Sequence, residues 1–242
     1  MITMVCYKER TVRRHPHGRP DTYRRTDQRP EDTETETERT QAAVIPAAGV
    51  ETRTDAGAEE YIYVDRTLYE GRPEDLSGRA VRETRTYDLL DRLGIRYRRV
   101  DHGPAMTIAA CKEVDDVLGA PMCKNLFLTN AQRTAFYLLL MPGDKPFKTK
   151  LLSKQIGSAR LSFAEGEYME RFLDIHPGSV SVMGLMNDTE HRVCLLVDRD
   201  VAEAPFLCCH PCENTSSLKI ETKDIFNIFL PAVGHEPTVV DL

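Results

Sequence analysis

The sequence predicts an α+β domain, a mixed β-sheet with helices packed outside it. Three observations carry that expectation. Short apolar runs with strand character recur from Tyr97 to Ile220, and amphipathic stretches at helical spacing fall between them. The two kinds interleave without the strict beat of a βαβ array, and some of the runs are close enough in sequence to be hairpin-linked.

Composition sets the outer limits. The chain has 242 residues, 41% hydrophobic and 29% charged, with no tryptophan, which suits one large or two small globular domains. A net charge of -6 argues against general coating of nucleic acid and against DNA as a partner, while a local basic patch can still meet RNA. No apolar run is long enough to span a bilayer, and the N-terminus lacks the apolar core of a signal peptide. Seven unevenly spaced cysteines with no export signal lead us to expect reduced thiols and a cytoplasmic location.

Taken in order, residues 1–60 are rich in arginine, threonine, proline and acidic residues, from Arg10 through the tract Glu31–Arg39. Apolar residues are too sparse there to offset ordering entropy, so a disordered tail is expected. A basic arm for RNA and a downstream start codon are the two other readings. Residues 61–83 read as an extended, turn-rich lead-in. Tyr87, Leu90 and Leu93 recur at helical spacing before Gly94, which predicts a helix over Glu83–Leu93. Tyr97–Val100 is a strand, and Thr107 caps a helix over Ile108–Leu118 that Gly119 ends. Met122–Asn130 and Phe136–Met141 are two aromatic-rich runs joined by a polar bridge, the signature of a core hairpin.

After the break at Pro142–Pro146 come a helix over Lys150–Ile156, a short strand at Leu161–Phe163 and an amphipathic helix over Glu165–Leu173. His176–Val182 reads as a turn feeding a short extended piece, Val193–Val197 as a buried strand, and Phe206–His210 with Ser217–Ile220 as a strand pair. Thr222 caps a final helix that Pro231 ends. One domain over 84–242 is expected, without internal repeats or a glycine-rich phosphate loop.

Three polar clusters interrupt apolar strand ends. The first is Lys124-Asn125: an ammonium beside so apolar a run must reach solvent, a partner or a substrate, and the bland reading is a snorkelling lysine. The second is Gly178-Ser179-Val180-Ser181, a plain turn or a loop whose small residues let backbone N–H groups approach a ligand. The third is His210-Pro211-Cys212-Glu213-Asn214-Thr215, where the histidine is either a hydrogen-bonded structural residue or an acid–base group. Spacing assembles no Ser–His–acid or Cys–His set. Cys209 and Cys212, with Cys208 beside them, have C-x-x-C spacing but lack a second pair for zinc and the strand-to-helix setting of a redox motif, so no metal and no cofactor is expected. Lys145, Lys148, Lys150, Lys154 and Arg160 form the one basic concentration within the domain, a solvated helix face or an edge that contacts an RNA backbone.

Five strings occur in an order that resembles a known family: Tyr87–Ile95, Val100-Asp101-His102, Cys123–Leu128, Pro177–Asp188 and His210–Thr215. Together they look like the YbaK/prolyl-tRNA synthetase-associated editing superfamily, most closely its freestanding ProX branch of alanyl-tRNA(Pro) deacylases. The resemblance covers roughly Gly71 to Leu242. It implies a mixed, partly barrel-like sheet surrounded by helices. It also implies a trans-editing hydrolase that cleaves the ester between a wrong amino acid and the 3′-terminal adenosine of tRNA. Such editing supplies discrimination that a proline-sized pocket cannot exert against alanine.

By the same resemblance, Lys124 is the catalytic residue, its ammonium stabilising negative charge at the ester or the terminal phosphate. Asn125 holds the adenosine or aminoacyl group, Gly178, Ser179, Val180 and Ser181 supply backbone contacts, and His210, Asn214 and Thr215 line the pocket. Water is the nucleophile, with the ribose 2′-hydroxyl available to assist. Lys145, Lys148 and Lys150 would contact the tRNA backbone, and the implied partners are the acceptor end of tRNA(Pro) and prolyl-tRNA synthetase. Two positions depart from the pattern: Val182 stands where the loop often ends in proline, and Cys212 where an aliphatic residue is expected. Two other functions compete, a non-catalytic module that holds tRNA or a synthetase, and a deacylase for cysteinyl- or another small aminoacyl-tRNA.

Overall fold

Two β-sheets frame the residues described by the computed structural model, 62–105 and 111–242. The tail expected over 1–60 and the cap expected at Thr107 lie outside them. In chain order the strands are β1 (Tyr69–Glu70), β2 (Tyr97–Asp101), β3 (Cys123–Asn130), β4 (Phe136–Pro142), β5 (Leu161–Phe163), β6 (Val193–Asp198), β7 (Phe206–Cys209), β8 (Ser216–Glu221) and β9 (Pro237–Val240). The helices are α1 (Val81–Arg92), α2 (Lys112–Leu118), α3 (Thr149–Gln155), α4 (Gly166–Leu173), α5 (Arg199–Ala202), α6 (Thr222–Asp224) and α7 (Leu230–Ala232).

One sheet runs β1-β2-β8-β7 and is antiparallel throughout. The other runs β5-β3-β4-β6-β9, antiparallel on its β5 side and parallel from β4 to β9. Among the described residues their one strand-like contact is an isolated bridge between Met122 and Cys208, so the expected partly barrel-like sheet is two sheets that do not close.

Strand alternation sorts the side chains into three packed layers. Phe127, Phe136, Leu138, Leu140, Leu195 and Val197 face a main core shared with Tyr97, Leu207, Cys209, Leu218 and Ile220 of the other sheet and with α1 and α4. The alternate set, Leu128, Tyr137, Leu139, Met141 and Leu196, packs on Leu152 and Ile156 against α3. A third cluster joins Val100 and Cys208 to Val114 and Leu118 of α2. Cys208 and Cys209 therefore point into different layers.

The hairpin is as the sequence predicts, with Lys124 opposite Met141 and Asn125 opposite Leu140. Its tip is tied by Asn130 Oδ1, which accepts the amide of Thr134 at 2.9 Å. Elsewhere the structure corrects local expectations. The segment after the 176–181 turn is a 3-10 helix, Val182–Asn187, because Ser181 Oγ accepts the amide of Met183 at its start and Val182, Met183 and Leu185 all find the core from a tight turn. Gly184 permits this: a Cβ there would lie 2.4 Å from Ile175 Cδ1. The final helix has Glu221 in the N-cap position and Thr222 as its first helical residue, and a π-turn over Ile225–Phe229 lets Pro231 sit inside its last turn. The wider turn accommodates the missing N–H of the proline. β1, α5 and β9 carry too few residues to announce themselves in the sequence. Among the described residues no helix is long and apolar enough to cross a membrane.

Candidate active site

The entry of β3 is pinned by Asp115, whose carboxylate accepts the amide of Met122 at 2.8 Å and whose pKa burial pushes up to about 6. From Cys123 to Leu126 every residue is half-buried, whereas Phe127, Leu128 and Thr129 are buried. The cause lies in the pairing. β4 flanks the whole of β3 on one side, but β5 reaches only Leu128–Asn130 on the other. Between the Met122 bridge and Leu128 that second edge takes no strand among the described residues.

Lys124 and Asn125, adjacent in sequence, leave this open edge on opposite faces. Alternation sets Lys124 with Leu126 and Leu128 on the α3 side and Asn125 with Cys123 and Phe127 on the main-core side. Lys124 Nζ donates to the carbonyl of Lys145 at 2.9 Å and makes no ion pair among the described residues, which leaves ammonium hydrogens for a ligand. Asn125 Nδ2 donates to the carbonyl of Cys123 at 3.0 Å. A carbonyl only accepts, so this bond fixes the orientation of the amide. Asn125 Oδ1 is then a buried acceptor without a partner.

The small-residue loop turns at Gly178, whose φ of 92° suits glycine, and Ser179 N closes the turn on the carbonyl of His176 at 3.0 Å. The amides of Val180 and Ser181 have no backbone acceptor among the described residues. Ser181, fully buried, donates its hydroxyl to the carbonyl of His210 at 2.5 Å. Two clusters far apart in sequence are thereby joined.

His210 is neutral and its tautomer is set. Burial pulls its pKa down to about 4. Its Nδ1 faces the carbonyl of Ser216 at 2.9 Å, so Nδ1 carries the proton and Nε2 is an acceptor. The chain continues with defined polarity. His102 Nδ1 faces the carbonyl of Gly103 at 2.7 Å and so is protonated, which makes His102 Nε2 the acceptor of the Ser217 hydroxyl at 2.9 Å. Ser217 Oγ in turn lies 3.3 Å from His210 Nδ1 and takes a share of its proton. Ser217 is completely buried, so this Ser–His contact orients the ring and cannot reach an ester.

Behind Ser216 stands Glu83, a buried carboxylate that accepts from Arg79 at 2.6 Å, Tyr87 at 2.7 Å and Ser216 Oγ at 2.9 Å. Glu83, His102, Ser216 and Ser217 were not singled out as site residues by the sequence. The one available signal was a carboxylate four positions before Tyr87 on the apolar face of a helix.

The loop after His210 is stapled to the end of β2. His102 N donates to Thr215 O at 2.9 Å and Ala105 N to Asn214 O at 3.0 Å, while Asn214 Nδ2 reaches Ala105 O at 3.4 Å. Thr215 also borders a cleft of about 540 Å³ with Ser77, Arg79, Glu83, Asp101 and Glu213. Cys212 takes a left-handed φ of 63° and packs fully buried in the main core, as does Val182. Val182 thus acts as apolar filler, and Cys212 fills the core while its Sγ accepts from Thr86 Oγ1 at 3.5 Å. Of the basic residues, Lys145 is committed inward: its ammonium meets both oxygens of the fully buried Asp198, at 2.9 and 3.0 Å, and Asp200 at 2.8 Å. Lys148 and Lys150 are exposed.

Comparison with known proteins places this arrangement. The profile of the aminoacyl-tRNA editing domain matches residues 102–228, which span β3, the 178–181 loop and the His210 loop. The chain is 30% identical over 153 residues to the prolyl-tRNA editing protein ProX of Acetoanaerobium sticklandii, covering 63% of this chain and 93% of that protein. It is 28% identical over 155 residues to prolyl-tRNA synthetase associated domain-containing protein 1 of Danio rerio, covering 63% and 83%. A solved chain described as a candidate trans-editing enzyme for prolyl-tRNA synthetase shares the fold, with a TM-score of 0.51 and 19% identity over 67% of this chain and 97% of that one. The chain belongs to the aminoacyl-tRNA editing domain family.

Proposed function

We propose that this protein is a trans-editing deacylase that hydrolyses alanyl-tRNA(Pro) at the 3′-terminal adenosine, with the domain over 84–242 carrying the activity. The observation that carries the reading is Asn125 Oδ1, a buried acceptor left without a partner at the open edge of β3 in a chain of the editing family. A buried polar atom of this kind calls for a ligand donor, and the ammonium or hydroxyl of an aminoacyl-adenosine supplies one. From the same edge Lys124 offers an ammonium on the other face. In this reading the ester lies across the edge. Water attacks the carbonyl carbon, the developing oxyanion is stabilised by Lys124, and the ribose 3′-oxygen leaves. The amides of Val180 and Ser181, which have no backbone acceptor among the described residues, hold the aminoacyl moiety, and the acceptor Nε2 of neutral His210 takes a ribose hydroxyl. Asn214 and Thr215 support that pocket wall.

The reaction needs no side-chain nucleophile, in keeping with the burial of Ser217. On this reading the protein acts in the cytoplasm, on the acceptor end of tRNA(Pro), with prolyl-tRNA synthetase as a partner. A panel of mischarged tRNA(Pro) species tests the proposal: alanyl-tRNA(Pro) should be hydrolysed fastest. A preference for the cysteinyl ester would reassign the substrate, and no hydrolysis of any species would leave a binding module.

A further inference from the structure

The face of the second sheet that bears Lys124 continues, along β3 and β5, into a surface that the mechanism does not use. Phe163 stands opposite Leu128 in the β3–β5 register and so projects on the same face as Lys124, Leu126 and Leu128. It is 62% exposed, although aromatic rings ordinarily find cover. Phe147 packs edge-on to it, with ring centroids 6.3 Å apart, and Leu151 of α3 is also 46% exposed. The segment that supplies these rings, from Gly143 to Ala164, carries five cations against one carboxylate, Asp144. With Lys145 held by Asp198, the cations that remain at the surface are Lys148, Lys150, Lys154 and Arg160, none of which makes an ion pair among the described residues. On a protein of net charge -6, such a concentration is a local feature.

We infer that Phe163, backed by Phe147 in a segment that also presents Lys150, Lys154 and Arg160 to solvent, is a stacking platform for single-stranded RNA, and that it receives the unpaired nucleotides preceding the terminal adenosine of the tRNA substrate. This rests on the reading of the protein as a tRNA deacylase. The physics is that of single-strand binding: any base presents a π-face to an exposed aromatic ring, while adjacent cations neutralise the backbone without reading sequence. A folded protein partner would call for a broader apolar patch with fewer unpaired cations. The geometry also gives direction. Leu128 and Lys124 are four residues apart on β3, roughly 13 Å at the rise of a strand, a span that a few extended nucleotides cover from Phe163 to the open edge. Leu128 itself is buried against Leu152 and Ile156, so the strand would pass over the outer side of α3 and deliver its 3′ end to Lys124 and, across the edge, to Asn125.

The test uses the full chain and an uncharged acceptor-stem RNA hairpin with its unpaired 3′ tail, compared with the same hairpin ending blunt, by fluorescence anisotropy over a range of salt. The tailed RNA should bind the wild type more tightly than the blunt one. Phe163→Ala should weaken the tailed RNA roughly 5- to 100-fold and abolish the difference, and Phe163→Tyr should retain it. Lys154→Gln with Arg160→Gln should flatten the salt slope by about 1 to 2. Equal binding of the tailed RNA by Phe163→Ala and wild type overturns the inference, as does a Phe163 dependence that appears only toward prolyl-tRNA synthetase. Because the RNA carries no aminoacyl group, the outcome is independent of hydrolysis. Wild-type protein that binds in this manner but fails to deacylate alanyl-tRNA(Pro) defeats the functional reading and leaves the surface in place.

Discussion

Replacing Ser181 by alanine removes the hydroxyl that joins the 178–181 loop to the His210 strand end. That hydroxyl donates to the carbonyl of His210 at 2.5 Å and accepts from the amide of Met183 at 3.2 Å, in a residue with no solvent exposure. No water can take over either bond without opening the core, so two backbone groups are left unsatisfied. At about 1–2 kcal/mol for each, Ser181→Ala should cost roughly 2–4 kcal/mol of stability. For a domain of this size that is a fall in Tm of roughly 4–16 °C. Urea and thermal unfolding measure it, and deacylation of alanyl-tRNA(Pro) measured well below the new Tm separates folding from function. There kcat/KM should still be reduced, because the loop and His210 no longer hold one geometry. A variant within about 0.5 kcal/mol of the wild type, the usual scatter for a surface change, would refute the join.

Other perturbations test other parts of the site. Lys124→Ala should abolish hydrolysis of alanyl-tRNA(Pro) with the unfolding curve nearly unchanged, since its ammonium meets only one protein carbonyl; near-normal turnover would remove Lys124 from the mechanism. Asn125→Ala should lower kcat/KM at little cost in stability, because Oδ1 has no protein partner to lose, and a large loss of stability with normal turnover would make Asn125 structural. Lys145→Met should destabilise by about 2 kcal/mol by leaving the buried Asp198 short of its cation, with the salt slope of tRNA binding unchanged, whereas Lys148→Gln with Lys150→Gln should flatten that slope. Acid should weaken the fold through His210: its folded pKa of about 4 lies below the unfolded value near 6.5, so between those values the unfolded chain binds the extra proton. Stability should fall by about 3 kcal/mol from this group as pH drops through that window, and urea midpoints of His210→Gln should lose that share of the pH dependence.

The elements that can be read locally were legible. The β3–β4 hairpin follows from two apolar runs around a polar bridge, α1 and α4 from spacing and a terminal stop, and the fold class from how such segments interleave. The order of the family strings was legible too, and it carried the editing assignment that the profile match supports. Local reading failed where tertiary contact decides. Val182–Asn187 is a 3-10 helix because Gly184 must lie against Ile175, and β9 is a strand because β6 offers it a parallel edge.

The candidate site divides in the same way. Sequence alone singled out Lys124, Asn125, the 178–181 loop and His210, since each is a polar interruption of an apolar run. Reading β3 as a strand already puts Lys124 and Asn125 on opposite faces, because side-chain direction has period two; only the three-dimensional structure leaves the second edge of that strand open between Met122 and Leu128 among the described residues. It alone joined Ser181 to His210, fixed the histidine tautomer through Ser216 and turned Lys145 inward to Asp198. Two of those bonds join segments 29 and 53 residues apart and the third closes a six-residue loop, and no periodicity records any of them. A chain's sequence states which groups are available; the partners that set their charge, tautomer and direction exist only once the sheets are assembled.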